Sequence, residues 1–214
     1  MNNKKIAVYG AGGFSREVAW LIECAHGSEA VTCFVDDNKS QSALKGIPVL
    51  TYDEVLERHP DIEIAIAIGA PATRKLVAKK CSSSGFQFAQ LIDPKASMSS
   101  SVDISDGAII CNGSILTVDI NLAEHVHINL DCTIGHDVKI GAYSTLSPGV
   151  HVSGNVHIGE EVYIGTGATI INGNEDEPLI IADRTVIGAG ACVTKSTEAG
   201  CLYAGLPAVL KKRY

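Results

Sequence analysis

The chain has 214 residues, enough for one large domain or two small ones. It is 46% hydrophobic, 5% aromatic and 19% charged, a composition that allows a packed core and excludes a disordered chain. A formal net charge of −7 disfavours binding to nucleic acid or to an anionic membrane surface, because both require a basic protein. No apolar run approaches roughly 18 residues, so no transmembrane helix is predicted.

The cysteines point to a reducing compartment. Their number is odd and no two are spaced as CxxC, which disfavours a disulfide framework or a zinc ribbon. The N-terminus leads directly into a strand-like run and does not resemble a signal peptide. We therefore predict a cytoplasmic protein with free thiols. No group of His, Cys, Asp and Glu residues has the spacing of a metal site, so no metal is expected.

The first 93 residues alternate between strand-like and helix-like segments. Strands are predicted at 5–9, 31–35, 62–68 and 86–92, and helices at 14–24, 53–58 and 71–83. Asp53 is the predicted cap of the second helix, and Gly10 to Gly13 form a tight turn after the first strand. Alternation of this kind predicts βαβ units with a parallel sheet, that is, a small Rossmann-like α/β domain over residues 1–93.

After Pro94 the hydrophobic pattern repeats every six residues. An aliphatic side chain occupies every sixth position from Ile104 to Ile170 without a miss, and the register resumes five residues late at Ile181. The residue two positions earlier is usually small or aliphatic, and the residue after is often Gly. The fifteen aliphatic positions are Ile104, Ile110, Leu116, Leu122, Ile128, Ile134, Ile140, Leu146, Val152, Ile158, Ile164, Ile170, Ile181, Ile187 and Val193.

A parallel β-helix explains this period. Each hexad forms a short strand and a turn, residues i and i−2 point inward, and three hexads complete one coil. Fifteen hexads then give five coils over residues 94–214, with the acidic stretch from Asn172 to Pro178 leaving the prism as a loop. A β-sandwich fits poorly, because its period is two and its spacing irregular. So thin a prism is expected to pack against copies of itself, and a homotrimer is the simplest closed assembly.

The repeat resembles that of the left-handed β-helix (hexapeptide) acyltransferases. The segments Val8–Phe14 and Phe34–Asp37, placed ahead of Ile134–Asp137, resemble the bacterial N-acetyltransferases that act on nucleotide-linked 4-amino-4,6-dideoxysugars. Sialic acid O-acetyltransferases are similar to the same group. The resemblance covers essentially the whole chain. It implies a left-handed helix, acetyl-CoA as co-substrate, a nucleotide-sugar acceptor, and a place in surface polysaccharide biosynthesis. It also implies that residues 1–93 bind the nucleotide sugar and residues 94–214 transfer the acetyl group.

His136 is the predicted general base. Acetyl transfer to an amine needs a base, a hydrogen-bond donor for the oxyanion and a slot for the thioester, and a free imidazole titrates near pH ~6.5. His136 follows Gly135 at a hexad corner and precedes Asp137, whose carboxylate reaches the ring only if the turn allows it. The alternative is a histidine that fills a subunit interface without chemistry, and the resemblance favours catalysis. His125, beside Glu124, is the next candidate.

The resemblance implies further roles in the repeat domain. It places the oxyanion donor at the Gly154 main-chain N–H, with the acetyl-CoA contacts at Thr145, Thr166, Ala189, Gly205 and Pro207. Thr145 stands where a relative can carry His. The basic residues Lys211 to Arg213 either meet the CoA phosphates or form a solvated tail.

The Gly-rich turn is the expected acceptor site. A lone Gly10-x-Gly12 is a weak dinucleotide signal, and Ser15 replaces the third Gly. The start of the following helix can still bind a pyrophosphate. The resemblance implies that the nucleotide sugar contacts Gly12, Gly13, Phe14, Asp36, Asp37 and Gly69, with Phe14 standing where some relatives have His.

Three functions therefore remain open from the sequence. They are N-acetylation of a nucleotide-linked amino sugar, O-acetylation of a sugar hydroxyl as in sialic acid, and a non-enzymatic trimer that senses NAD or serves as a scaffold.

Overall fold

The computed structural model describes residues 4–38 and 41–214. The chain divides into two compact units, Met1–Pro94 and Lys95–Tyr214. No helix in the described ranges is long and apolar enough to cross a bilayer.

The first unit is an α/β domain. Its elements are β1 (Ile6–Tyr9), α1 (Gly13–His26), β2 (Val31–Val35), β3 (Ala43–Leu44), β4 (Ile47–Leu50), α2 (Tyr52–Arg58), β5 (Glu63–Ile66), α3 (Pro71–Ser83) and β6 (Leu91–Ile92). The sheet has the order β3-β4-β2-β1-β5, and all its pairings are parallel except β3 with β4. The central strand β1 is fully buried, and α1 covers it with Val18, Leu21 and Ile22. Because the central strands are parallel, the turns that follow them meet at one edge of the sheet.

The start of α2 differs from the prediction. The helix begins at Tyr52, and its cap is Thr51 rather than Asp53. The Thr51 hydroxyl accepts a hydrogen bond from the Glu54 N–H at 3.2 Å, and the Glu54 carboxylate accepts one from the Thr51 N–H at 2.8 Å. Two reciprocal bonds satisfy more helix-end donors than Asp53 alone, so this capping box sets the boundary.

The strands of the first unit also differ from the prediction in two places. Only β6 is a strand within the predicted segment 86–92, and Phe88 contributes a single isolated bridge to Ile64. The β3–β4 hairpin was not predicted. Its two-residue turn, Lys45 and Gly46, has positive φ angles of 49° and 81°, the conformation that closes tight hairpins.

The second unit consists of short strands in regular succession. These are β7 (Ser97–Met98), β8 (Asp103–Ile104), β9 (Ile109–Ile110), β10 (Ile115–Leu116), β11 (Asn121–Leu122), β12 (His127–Ile128), β13 (Thr133–Ile134), β14 (Lys139–Ile140), β15 (Thr145–Leu146), β16 (His151–Val152), β17 (Val156–Ile158), β18 (Tyr163–Ile164), β19 (Thr169–Ile170), β20 (Leu179–Ile181), β21 (Val186–Ile187), β22 (Cys192–Val193), β23 (Cys201–Ala204) and β24 (Val209–Arg213).

These strands form the three faces of a prism. Face A contains β7, β10, β13, β16, β19 and β22, face B contains β8, β11, β14, β17 and β20, and face C contains β9, β12, β15, β18, β21 and β23, with β24 at its end. Strands within a face pair in parallel, apart from the antiparallel β23–β24 hairpin. The chain passes from A to B to C in each coil, and the predicted left-handed β-helix is confirmed.

The hexad pattern explains the core. Every predicted aliphatic position except Ile104 is buried, and so are the residues two positions earlier, such as Ala108, Cys132 and Val150. The acidic stretch 172–178 is a loop between β19 and β20, as predicted. Beyond the loop Val156 pairs with Leu179, so the coil regains its register after the extra five residues.

Candidate active site

A His–Asp pair lies at the corner between faces A and B. His136 follows β13, and the Asp137 backbone adopts a left-handed turn with φ of 58°. Nδ1 of His136 and Oδ2 of Asp137 are 2.8 Å apart, and the two side chains are 57% and 56% exposed. The carboxylate therefore orients the imidazole, while the ring remains accessible to a substrate. This is the arrangement that a general base requires.

Gly154 lies directly beside the imidazole. It occupies the same corner as His136 one coil later, and a Cβ at Gly154 would overlap the Nε2 side of the ring. Within the described residues, no acceptor receives a hydrogen bond from the Gly154 N–H. The structure thus brings the His–Asp pair and a main-chain N–H together on one chain, and acyl transfer to an amine needs a base and an oxyanion donor.

The other histidines of the repeat are placed differently. His125 is 2% exposed, and its ring stacks on Tyr143 with centroids 5.2 Å apart at the corner between faces B and C. His127 is 1% exposed on face C. His151 is exposed on face A and pairs through Nδ1 with the Thr133 hydroxyl at 2.8 Å. His125, the second candidate for the general base, is therefore inaccessible to a substrate in this structure.

The predicted acetyl-CoA residues gather at a different corner, between faces C and A. Thr166 and Ala189 are exposed on successive coils there, and the Gly190 N–H donates to the Thr166 carbonyl at 2.9 Å. Gly205 and Pro207 form the exposed turn between β23 and β24, where the Gly205 carbonyl accepts from Cys192 N–H at 3.0 Å. We refer to Thr166, Ala189, Gly205 and Pro207 as the donor corner.

Thr145, a predicted acetyl-CoA contact, and the basic residues Lys211 to Arg213, which are candidate contacts of the CoA phosphates, lie outside this corner. Thr145 is on a strand of face C and is only 2% exposed. The guanidinium of Arg213 forms an ion pair with Glu198, which raises the pKa of Arg213, so this residue is engaged within the chain. Lys212 lies over the ring of Tyr214 at 4.6 Å, and Lys211 is exposed.

In the first unit the predicted acceptor residues meet at the carboxyl edge of the sheet. Gly12 is the N-cap of α1 and makes no side-chain hydrogen bond there, and the N-terminus of a helix favours an anion. The Gly10 N–H donates to the Val35 carbonyl at 2.8 Å and so joins the turn to the end of β2. Ser15 is buried against Gly10, at the place where a third Gly would stand in a dinucleotide fingerprint. Phe14 is half-buried beside this turn.

Asp37 is held inside a polar cluster. Its Oδ2 accepts hydrogen bonds from the Tyr9 hydroxyl at 2.8 Å and from Lys80 Nζ at 3.0 Å, and its Oδ1 accepts from the Tyr52 N–H at 3.1 Å. Partial burial would raise the pKa of the Asp37 carboxyl, but these hydrogen bonds lower it below its ordinary value. Burial and the bond to Asp37 raise the pKa of Tyr9. The preceding residue, Asp36, accepts from the Asn38 N–H at 3.0 Å.

Sequence reasoning missed Arg74, which shapes the loop at Gly69. Arg74 is 0% exposed, and its Nη1 donates to the Ile68 carbonyl at 2.6 Å and the Gly69 carbonyl at 3.2 Å. The available signal was its place on the buried stripe of α3 with Ala78 and Cys81. A charged residue on such a stripe indicates an internal partner.

The cysteines are unpaired with one another. All seven cysteines lie in the described ranges and are free thiols, and burial raises the pKa of Cys33 to about 11 and of Cys81 to about 12. Over residues 4–38 and 41–214, no three His, Cys, Asp or Glu side chains are grouped so that they could hold a metal ion.

A β-helix of hexapeptide repeats, a corner His–Asp pair and an N-terminal α/β domain together define a hexapeptide acyltransferase. The family models agree, since residues 5–81 match the PglD N-terminal domain and residues 131–172 match the bacterial transferase hexapeptide (six repeats). The chain is 32% identical over 214 residues to the GDP-perosamine N-acetyltransferase of Escherichia coli O157:H7, covering 96% of each chain. It therefore belongs to the nucleotide-sugar N-acetyltransferases of the hexapeptide superfamily.

Solved structures support the same assignment. The acetyltransferase domain of PglB from Neisseria gonorrhoeae FA1090, in complex with acetyl coenzyme A, superimposes with a TM-score of 0.89 at 31% identity, over 98% of this chain and 100% of that one. PerB from Caulobacter crescentus, in complex with CoA and GDP-perosamine, gives 0.88 at 27% identity over 97% of both chains. The predicted family, fold class and enzyme class are confirmed.

Proposed function

We propose that this enzyme transfers the acetyl group of acetyl-CoA to the amine of a nucleotide-linked 4-amino-4,6-dideoxysugar. The observation that carries the proposal is the 2.8 Å contact between His136 Nδ1 and Asp137, with Gly154 on the open side of the ring. The relatives support both substrates, because one is named a GDP-perosamine N-acetyltransferase and another was solved with acetyl coenzyme A.

The chemistry follows from the corner residues. The amine attacks the thioester carbonyl directly, and Nε2 of His136 takes the proton that the amine loses. Asp137 stabilises the resulting imidazolium, and the Gly154 N–H donates to the oxyanion of the tetrahedral intermediate. Collapse of the intermediate expels the CoA thiolate, which takes the proton held by the His136 imidazolium, so the neutral base is restored and no acyl-enzyme forms. No metal takes part.

We assign the two substrates to different units. The nucleotide sugar binds at the carboxyl edge of the first unit, through Gly12, Gly13, Phe14, Asp36 and Gly69, with the pyrophosphate at the N-terminus of α1. Asp37 supports this edge through its contacts with Tyr9 and Lys80. Acetyl-CoA lies along the donor corner of the second unit.

A homotrimer completes the active site in this proposal. His136 lies at the corner between faces A and B, whereas Thr166 and Ala189 lie at the corner between faces C and A. The width of face A separates the two corners within one chain. A threefold arrangement can set the base corner of one subunit against the donor corner of the next, which gives three equivalent sites. We place the enzyme in the cytoplasm, where acetyl-CoA and nucleotide sugars occur, in the synthesis of a surface polysaccharide.

Product analysis tests this function. The purified protein is incubated with acetyl-CoA and, in separate reactions, the UDP-, GDP- and dTDP-linked 4-amino-4,6-dideoxysugars, and products are identified by mass spectrometry and NMR. We expect an acetamido group at C4 with one of the three nucleotides. Matched acceptors with a hydroxyl at C4 serve as the control. Acetylation of that hydroxyl in preference to the amine would establish an O-acetyltransferase, and no transfer to any acceptor would refute the proposal.

A further inference from the structure

The first unit contains a cavity of about 800 Å³ at the amino edge of its sheet. The cavity lies where β1, β2 and β5 begin and where α1 and α2 end, and its lining comes from residues 4–63. Lys5 precedes β1 at this edge and Gly10 follows β1 at the other, so five residue steps of ~3.3 Å place the cavity roughly 16 Å from the Gly-rich turn. The cavity is large enough for a small molecule and lies apart from the proposed acceptor site.

The lining of the cavity is more basic than the chain as a whole. Its charged residues are three cations and two carboxylates, namely Lys4, Lys5, Arg58, Asp61 and Glu63. Lys4 Nζ is 2.9 Å from Glu63 Oε2, which pairs one of the cations with one of the carboxylates. The net charge of the chain is −7, so the excess of cations in this cavity is a local feature. A cavity with such an excess favours an anionic ligand.

Lys5 and Arg58 keep hydrogen-bond donors for a ligand. Lys5 Nζ donates to the Glu29 carbonyl at 2.7 Å, a contact with a neutral group that does not cancel the charge of the ammonium. Arg58 Nη2 is 3.3 Å from Glu54 Oε1, one helical turn away, and exposed ion pairs of this kind are weak. Because an ammonium has three N–H donors and a guanidinium has five, both side chains can also donate to an anion.

Two histidines and a hydroxyl group complete the polar lining. His26 is the last residue of α1, and His59 directly follows α2. Burial and the nearby Lys4 lower the pKa of His26, a shift that a bound anion would oppose. The Thr32 hydroxyl is shielded from water and has no hydrogen-bond partner within residues 4–38 and 41–214. A hydroxyl in this position is costly unless an acceptor meets it, and an anionic oxygen is such an acceptor.

We propose that this cavity, which we call the amino-edge site, binds a small phosphate-bearing ligand through Lys5, Arg58 and the Thr32 hydroxyl. A phosphate group suits the site because it has several acceptor oxygens and a charge that a lysine and an arginine together can balance. The site does not depend on the proposed function, which uses the opposite edge of the sheet.

The test measures binding of inorganic pyrophosphate and, separately, of ribose 5-phosphate to the full-length protein by calorimetry in ~150 mM salt, where non-specific attraction is screened. The tighter of the two shows whether the site prefers a free phosphate or a phosphate ester. Pyrophosphate can also bind at the N-terminus of α1, so the location is read from the histidine ring signals by NMR, assigned with His26→Gln and His59→Gln. We expect the pKa of His26 and of His59 to rise by about 0.5 or more when the ligand binds.

The variants Lys5→Gln and Arg58→Gln should each weaken this binding roughly tenfold, because each loses a charge-assisted hydrogen bond. Lys79→Gln, at an exposed position of α3, removes the same charge elsewhere in the first unit and should leave the affinity unchanged. Circular dichroism verifies the fold of all three variants. Absence of binding would show that these cations only stabilise the ends of α1 and α2, and would overturn the inference. Histidine pKa values that do not move, or equal affinities in Lys5→Gln, Arg58→Gln and Lys79→Gln, would also overturn it.

Discussion

His136 and Asp137 are neighbours in sequence, and neighbouring side chains on a strand point to opposite sides of a sheet. The corner removes this restriction. Because Asp137 has a φ of 58°, its carboxylate turns back toward the imidazole and reaches Nδ1 at 2.8 Å. Asp tolerates this left-handed conformation better than most residues. The sequence predicted the pair, and the turn geometry explains how both members serve one site.

Replacement of Gly154 by Ala should impair catalysis without unfolding the chain. The φ of Gly154 is not positive, so Ala fits the backbone, but its Cβ would overlap Nε2 of His136 and displace the ring. We expect kcat to fall by roughly 10²-fold or more, since positioned bases contribute roughly 10²–10⁴-fold. Steady-state kinetics measures the loss. Ser153→Ala, at the exposed neighbour, is the control, and equal rates for Gly154→Ala and the wild type would show that the base is not at this corner.

At the scale of elements, one carboxylate ties together three parts of the first unit. Asp37 bonds to the end of β1 through Tyr9, to the start of α2 through Tyr52, and to α3 through Lys80. Lys80 also lies 3.9 Å from the centre of the Tyr52 ring. These hydrogen bonds therefore hold the start of the loop after β2, which carries Asp36, in place beside the Gly-rich turn.

This cluster predicts a pH-dependent contribution to stability. Because the folded-state pKa of Asp37 is lowered, its contribution is present above the ordinary pKa of Asp, near pH ~3.9, and is lost as the pH falls through the lower folded value. Asp37→Asn should cost about 1 kcal/mol at pH 7, and the difference from the wild type should shrink by pH ~2. Urea unfolding at both pH values measures it. A difference that grows toward low pH would contradict the assignment.

Loss of the buried guanidinium of Arg74 should reduce stability more than loss of the Asp37 carboxylate. Arg74→Met keeps the apolar volume but leaves the Ile68 and Gly69 carbonyls without the guanidinium, which should destabilise the first unit by about 3 kcal/mol. Lys79→Met, at an exposed position of the same helix, is the control and should change stability by less than about 0.5 kcal/mol. Denaturant midpoints compare the two variants. Equal midpoints would show that the buried guanidinium does not hold this loop.

Elements with strong periodicity were predictable, and elements set by tertiary contacts were not. The six-residue period predicted nearly every strand of the β-helix, because each coil buries side chains at the same positions of its hexads. The start of α2 was ambiguous because Thr51 and Asp53 are both good caps, and only the Glu54 contact decides between them. The segment 86–92 has strand-like composition, yet only Leu91 and Ile92 form one. Likewise, no local signal showed that Thr145 is buried or that Asp37 bonds within the chain.

At the scale of the whole molecule, the separation of the base and donor corners predicts complementation between subunits. His136→Ala removes the base, and Ala189→Trp blocks the donor corner, so each variant alone should be inactive. In every mixed trimer, one of the three junctions joins a subunit with an intact base to a subunit with an intact donor corner. Co-expression with two affinity tags isolates the mixed trimers, and their activity should be about a third of wild-type turnover. No recovery in mixed trimers, or a stable active monomer by light scattering, would contradict the shared site.

The most direct measurement is the turnover of His136→Ala with acetyl-CoA and the nucleotide-linked 4-amino sugar that the wild type accepts. The side chain is 57% exposed and points away from the buried hexad positions Ile134 and Ile140, so folding should persist. We expect kcat to fall by roughly 10²–10⁴-fold, with little change in the KM for acetyl-CoA. His151→Ala, at an exposed histidine of face A, should retain wild-type rates. Near-wild-type turnover by His136→Ala at neutral pH would contradict the assignment of the base.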